Sequence, residues 1–208
     1  MSAEKAPVDD RAVPAAAPIL NIANYLTVLR LALVPVLLVL LLADGGHRTG
    51  WRIAAALAFA AASITDRIDG DLARSRGLVT DFGKVADPIA DKALTGAALI
   101  GLSVLGDLAW AITIAVLVRE IGITAMRFWV IRHGVIPASR GGKVKTLLQS
   151  VAIGLYILPL PDWLHPATLA VMLLALAVTY VTGADYVLRA VRLRRTSERT
   201  ARRLAARR

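Results

Sequence analysis

The sequence predicts an all-α fold, a polytopic membrane bundle of six transmembrane helices. Three observations carry that prediction. The 208-residue chain is 57% hydrophobic, with a mean hydropathy of +0.61, whereas a soluble domain is roughly 45–50% apolar. Its apolar residues fall in runs long enough to cross a bilayer. Its positive charge collects between those runs and at the C-terminus. The length suits one compact membrane domain over residues 21–190, between a leader (1–20) and a basic tail (191–208).

The leader mixes charge, alanine and proline without an apolar core, which fits a disordered or juxtamembrane segment better than a signal peptide. The first span, about 25–43, is rich in Leu and Val and is interrupted at Pro35; Asp44-Gly45-Gly46 ends it. The second, about 51–65, runs straight into an acidic segment. The third starts near Val85, carries Asp87 and Asp91 on its first turns and ends near Leu105. Gly106-Asp107 makes a short turn to the fourth, about 108–131. The fifth, about 144–158, is closed by Pro159 and Pro161, and the sixth, about 167–187, leads into the arginines.

Charge placement orients the bundle. Arg67, Arg74, Arg76 and Lys84 lie between spans two and three, and Arg132, Arg140, Lys143 and Lys145 between four and five. The turns after spans three and five have no Lys or Arg. The positive-inside rule then puts both termini and the acidic segment in the cytoplasm, for a multi-pass protein of the inner (plasma) membrane. Arg48 and Arg52, after span one, dissent. The arginine tail suits anionic membrane lipids, and no nucleic acid is expected as partner. Trp51, Trp110, Trp129 and Trp163 stand at span ends, as interface anchors do. With no cysteine and three scattered histidines, disulfides and thiolate catalysis are excluded, and a zinc site is not expected.

The segment between spans two and three reads Asp66-x2-Asp69-Gly70-x2-Ala73-Arg74-x8-Gly83-x3-Asp87-x3-Asp91. On helices, spacings of three and four put each pair of acids on one face, so two antiparallel helices can aim four carboxylates at one point. Ionised acids at membrane depth are costly, and they belong in a watered cavity with cations. Hard oxygen ligands without Cys or His select two Mg²⁺ or Mn²⁺ ions, which can clamp a pyrophosphate. The plain alternative is that these acids only pair with Arg67, Arg74 and Lys84 in a solvated loop.

This arrangement resembles the signature of the CDP-alcohol phosphotransferase family, membrane enzymes that join an alcohol to a phosphate while expelling CMP. The resemblance implies that Asp66, Asp69 and Asp87 are metal ligands, with Asp91 as a further ligand and the catalytic base. An aspartate with pKa near 3.9 is a weak base for an alcohol, but a loose phosphoryl-transfer transition state lets it take the proton late. Gly70 and Gly83 read as places where the nucleotide nears the backbone, and the planar fork of Arg74 suits the diphosphate. Asp69 and Thr27 complete the implied CDP contacts.

The acceptor segment contains Arg119-Glu120, Arg127 and Gly142-Lys143-Val144-Lys145-Thr146. Arg119 and Arg127 lie close to two helical turns apart, and Lys143 and Lys145 stand at the start of span five, where a helix N-terminus also favours an anion. Together they suit an acceptor carrying a phosphate; the alternatives are an internal Arg119–Glu120 pair and, for Arg127, topology-setting charge. The stretch is similar to that of bacterial phosphatidylglycerophosphate synthases, as is the opening Asn21-x2-Asn24-x2-Thr27-x2-Arg30, in which Ala23 replaces a common proline. That likeness implies CDP-diacylglycerol and sn-glycerol 3-phosphate as substrates. The family includes homodimers, though no residue here marks an interface. Within the family, a cardiolipin synthase or an inositol-phosphate-using synthase is the rival; outside it, a divalent-cation transporter, for which Arg74 and the glycines have no use.

Overall fold

The computed structural model describes the backbone of residues 21–75, 80–130 and 140–205, and the side chains of these except 23, 67–75, 81, 82, 84, 85, 127–130, 140 and 193–205. The described residues form six α-helices and no strand: α1 Ile22–Leu42, α2 Thr49–Ser75, α3 Asp81–Val104, α4 Trp110–Val130, α5 Arg140–Ile157 and α6 His165–Ala205, with short 3₁₀ turns at Ala43–Gly46 and Asp162–Leu164. Two stretches, Asn24–Gly46 and Asp162–Arg192, are long and apolar enough to cross a membrane.

Local chemistry sets the ends. Asn21 caps α1 by accepting from the Asn24 amide at 2.9 Å, and Thr80 caps α3 by accepting from the Gly83 amide at 3.0 Å, each satisfying an amide that the first turn would orphan. α1 stops at a turn in which Asp44, Gly45 and Gly46 have φ of 56°, 64° and 75°, a left-handed run that two glycines make affordable.

Several boundaries differ from those expected. α2 does not stop near residue 65 but carries the acidic motif to Ser75, since one glycine costs a helix only about 1 kcal/mol. α3 begins four residues before Val85, at its Thr80 cap. α5 begins at Arg140, a turn before Val144, and runs through Gly141-Gly142, so Lys143 is its fourth residue and Lys145 its sixth, both within the first two turns. α6 is one helix into the arginine tail, because arginine is a good helix former.

The helices alternate in direction, and α1 packs chiefly against α2 and α3 while α6 packs against α4 and α5. The shared core includes Leu37, Leu41, Phe59, Leu99, Leu102, Ile153 and Met172. Small residues Ala55, Ala62, Ala90, Ala98 and Ala152 are wholly buried, as where helices approach closely in lipid. Large apolar residues such as Val39, Leu57, Val118 and Val181 face outward, each at least 63% exposed; a hydrocarbon surround accommodates such an exterior and water does not.

Candidate active site

One end of the bundle gathers the start of α1, the end of α2, the start of α3, the end of α4, the start of α5 and the later part of α6. The acidic motif therefore shares an end with the basic residues of α4 and α5. α1 organises the acids. Thr27 and Arg30, one turn apart on one face of α1, are each about 1% exposed. Thr27 Oγ1 donates to Asp87 Oδ1 of α3 at 2.5 Å, and Arg30 Nη1 lies 2.6 Å from Asp66 Oδ1 of α2. One helix outside the motif thus holds a carboxylate from each of the two motif helices.

Asn24 continues the line toward the helix start. Its Oδ1 accepts from Thr80 Oγ1 at 2.9 Å, inside the bundle. A Cβ added at Gly83 would lie 3.1 Å from Asn24 Oδ1, 3.3 Å from Thr80 Oγ1 and 3.7 Å from Asp87 Oδ2. The absent side chain at Gly83 is thus part of how α1 and α3 meet. Asp91, one turn further along α3, is within electrostatic range of Asp66, Lys92, Lys145 and Glu120.

Glu120 of α4 gathers cations from three helices. Lys92 Nζ of α3 donates to Oε2 at 3.0 Å, Arg119 Nη1 donates to Oε1 at 3.1 Å, and Lys145 Nζ of α5 donates to the same Oε1. Arg119 Nη2 also donates to Thr182 Oγ1 of α6 at 3.0 Å. The guanidinium lies over Gly183, where a Cβ would stand 3.1 Å from Nε.

Of the residues expected from sequence, Thr27, Asp66, Gly83, Asp87 and Asp91 have described side chains or neighbours at this end. Arg119 and Lys145 meet on Glu120, whereas Lys143 is exposed and apart from that contact. The side chains of Asp69, Gly70, Arg74 and Arg127 lie outside the described residues. Arg30 is named from sequence only within the opening motif, without a site role, and Lys92 and Thr80 are not named. An arginine inside an apolar run implies a buried partner, a signal by which Arg30 could have been found.

Among the described residues, no three His, Cys, Asp or Glu side chains are gathered into a group that could hold a metal ion; Asp69 is not among them. The donor chemistry nonetheless suits a hard cation. Asp66 and Asp87 offer only carboxylate oxygens, each with several lone-pair sites beyond its one hydrogen bond or ion pair named above. Thr27 and Arg30 each hold one of those carboxylates, as outer contacts do where carboxylates ligate a metal.

The opposite end is closed by Arg52 near the start of α2. Its Nη1 lies 2.5 Å from Asp107 Oδ2, and its Nε and Nη2 donate to the carbonyls of Ile157 at 2.9 Å and Tyr156 at 2.6 Å. Arg52 thus satisfies carbonyls at the end of α5. This arginine, which ran against the expected charge pattern, serves the interior.

The CDP-alcohol phosphatidyltransferase family model matches residues 20–181. A probable phosphatidylglycerophosphate synthase of Mycobacterium tuberculosis (strain H37Rv) is 57% identical over 176 residues, covering 85% of this chain and 84% of that protein. A CDP-diacylglycerol–glycerol-3-phosphate 3-phosphatidyltransferase of Bacillus subtilis (strain 168) is 37% identical over 180 residues, covering 80% and 93%. One of the same name from Rickettsia bellii is 34% identical over 171 residues, with the same shares covered. The matched span takes in the α1 contacts, the acidic motif and the Glu120 cluster alike, and the chain belongs to the CDP-alcohol phosphatidyltransferase family.

Proposed function

We propose that this transferase moves the phosphatidyl group of CDP-diacylglycerol onto sn-glycerol 3-phosphate, giving phosphatidylglycerophosphate and CMP. The observation that carries the reading is the shared end of the bundle: carboxylates held by Thr27 and Arg30 beside the cations gathered on Glu120. The first suits a diphosphate with its cations, the second an acceptor that brings its own phosphate. The names of the relatives support the same pair of substrates.

Asp66, Asp69, Asp87 and Asp91 would hold two Mg²⁺ or Mn²⁺ ions, which when bound offset charge on the diphosphate and on the departing CMP. Arg74, Gly70 and Gly83 orient the CDP portion. Arg119, Arg127, Lys143 and Lys145 receive the acceptor's phosphate and so fix where its free hydroxyl lies. That hydroxyl attacks the phosphatidyl phosphorus; the new O–P bond forms as the bond from that phosphorus to the bridging oxygen breaks, and CMP leaves. Asp91 takes the hydroxyl proton late in the step.

All six helices cross the inner (plasma) membrane in this reading, with both termini and the site on the cytoplasmic side. The outward apolar faces and the clustering of Lys and Arg at the site end support it. A homodimer, implied by the family likeness, is checked by mass measurement in detergent. The function is tested with purified protein, CDP-diacylglycerol, Mg²⁺ and each of glycerol 3-phosphate, phosphatidylglycerol and inositol phosphate, identifying lipid products by mass. Phosphatidylglycerophosphate is the expected product. Turnover only with another acceptor overturns the assignment.

A further inference from the structure

Glu120 is outnumbered. Three cations from three helices touch one carboxylate, so the contact group carries an excess of two positive charges. Counting Asp91, which is in electrostatic range but not in contact, the group is still positive by one. The side chains of Arg119, Glu120 and Lys145 are only 11%, 13% and 11% exposed, so water screens little of that excess. Positive charge in such surroundings calls for an anion. Lys92, at 30% exposure the open side of the group, directly follows Asp91 in the chain, so an anion arriving there stands beside the reacting acids.

A phosphate monoester carries roughly −1.5 to −2 charge and three strong acceptor oxygens. It matches the three donors and the excess they leave. We propose that Glu120 is an internal stand-in for the acceptor's phosphate, holding Lys92, Arg119 and Lys145 together in its absence and yielding the two lysines when it binds. This rests on the reading of the acceptor as a phosphomonoester and adds Lys92 and Glu120 to its site. Arg119 keeps its anchor on Thr182, so the guanidinium stays in place while the lysines exchange partners. Because stand-in and ligand compete for the same donors, Glu120 weakens phosphate binding in proportion to the hold it has on them. Its removal should therefore tighten binding, the opposite of what loss of an ordinary site residue does.

The test uses the full chain in detergent micelles with excess EDTA, and inorganic phosphate as the probe, followed by calorimetry without CDP-diacylglycerol. Glu120→Gln keeps the shape and removes the charge, and should raise phosphate affinity by about fivefold or more. Unchanged or weaker binding in a folded Glu120→Gln protein overturns the proposal, since a purely structural carboxylate would give that result. If this variant fails to fold, Lys92→Met decides: affinity lowered by about fivefold or more supports the stand-in, and unchanged affinity overturns it. The binding assay needs no turnover, so it is separable from the product assay that tests the reaction itself.

Discussion

Arg30 Nη1 of α1 lies 2.6 Å from Asp66 Oδ1 of α2, with the arginine side chain wholly buried and the aspartate 32% exposed. Arg30→Met leaves Asp66 without that countercharge. Breaking a fully buried pair costs about 3–5 kcal/mol; water reaches a third of Asp66, so about 2–3 kcal/mol is expected here. Denaturant unfolding in micelles measures it. Arg30→Lys should recover part of the loss, and an unchanged midpoint in both variants would contradict the pairing.

Thr27→Val removes the hydrogen bond to Asp87 at nearly constant volume. A bond to a charged acceptor is worth about 1.5–3 kcal/mol, and here it orients a proposed metal ligand. We expect a fall in kcat of roughly tenfold to a hundredfold and a higher Mg²⁺ requirement, with the KM for glycerol 3-phosphate little changed. Magnesium titrations at saturating substrates separate these effects.

Gly83→Ala puts a methyl 3.1 Å from Asn24 Oδ1 and 3.3 Å from Thr80 Oγ1, whereas nothing lies within 4 Å of a Cβ at Gly122. The first should cost about 1–3 kcal/mol through crowding of the α1–α3 contact. Gly122→Ala should be neutral or raise stability by up to about 1 kcal/mol. Thermal unfolding of the two variants side by side checks the contrast.

Chelation is expected to abolish turnover. Mg²⁺ or Mn²⁺ should restore it and Ca²⁺ should do so poorly, because the larger ion's looser geometry misplaces the phosphates. CMP release in excess EDTA, followed by each ion in turn, is the measurement; full activity in EDTA would contradict the proposed ligand set.

Lys145→Ala should raise the KM for glycerol 3-phosphate by roughly tenfold to a hundredfold, the equivalent of about 1.5–3 kcal/mol. Its neighbour Lys143 is exposed, so Lys143→Ala should move the same KM less. The KM for CDP-diacylglycerol should hold in both. Equal losses for both substrates would leave these lysines as topology charges.

The acids and the helices were legible in the sequence for different reasons. Long apolar runs and their glycine and proline breaks mark helices without any knowledge of packing, and carboxylates in such a chain stand out by cost alone. The partners of those carboxylates were not legible in the same way. Thr27 meets Asp87 sixty positions away because α1 packs against α2 and α3, an arrangement no local pattern encodes. Lys92 reads as an ordinary neighbour of Asp91 until α4 brings Glu120 to it. The fifth helix starts at Arg140 and not near Val144, since its first turn is polar and glycine-bearing and lacks the apolar run by which a span is read.

Arg52 has a consequence for how the protein is made. In the proposed topology the end that holds Arg52 must cross the bilayer during insertion. Asp44 is four residues from Arg48 and crosses with it, 3.4 Å apart in the fold, whereas Asp107 lies in the turn after α3 and meets Arg52 only once that helix is in place. Counting Lys and Arg along the chain therefore overstates the positive character of this end once folded, where each of these two arginines stands beside an aspartate.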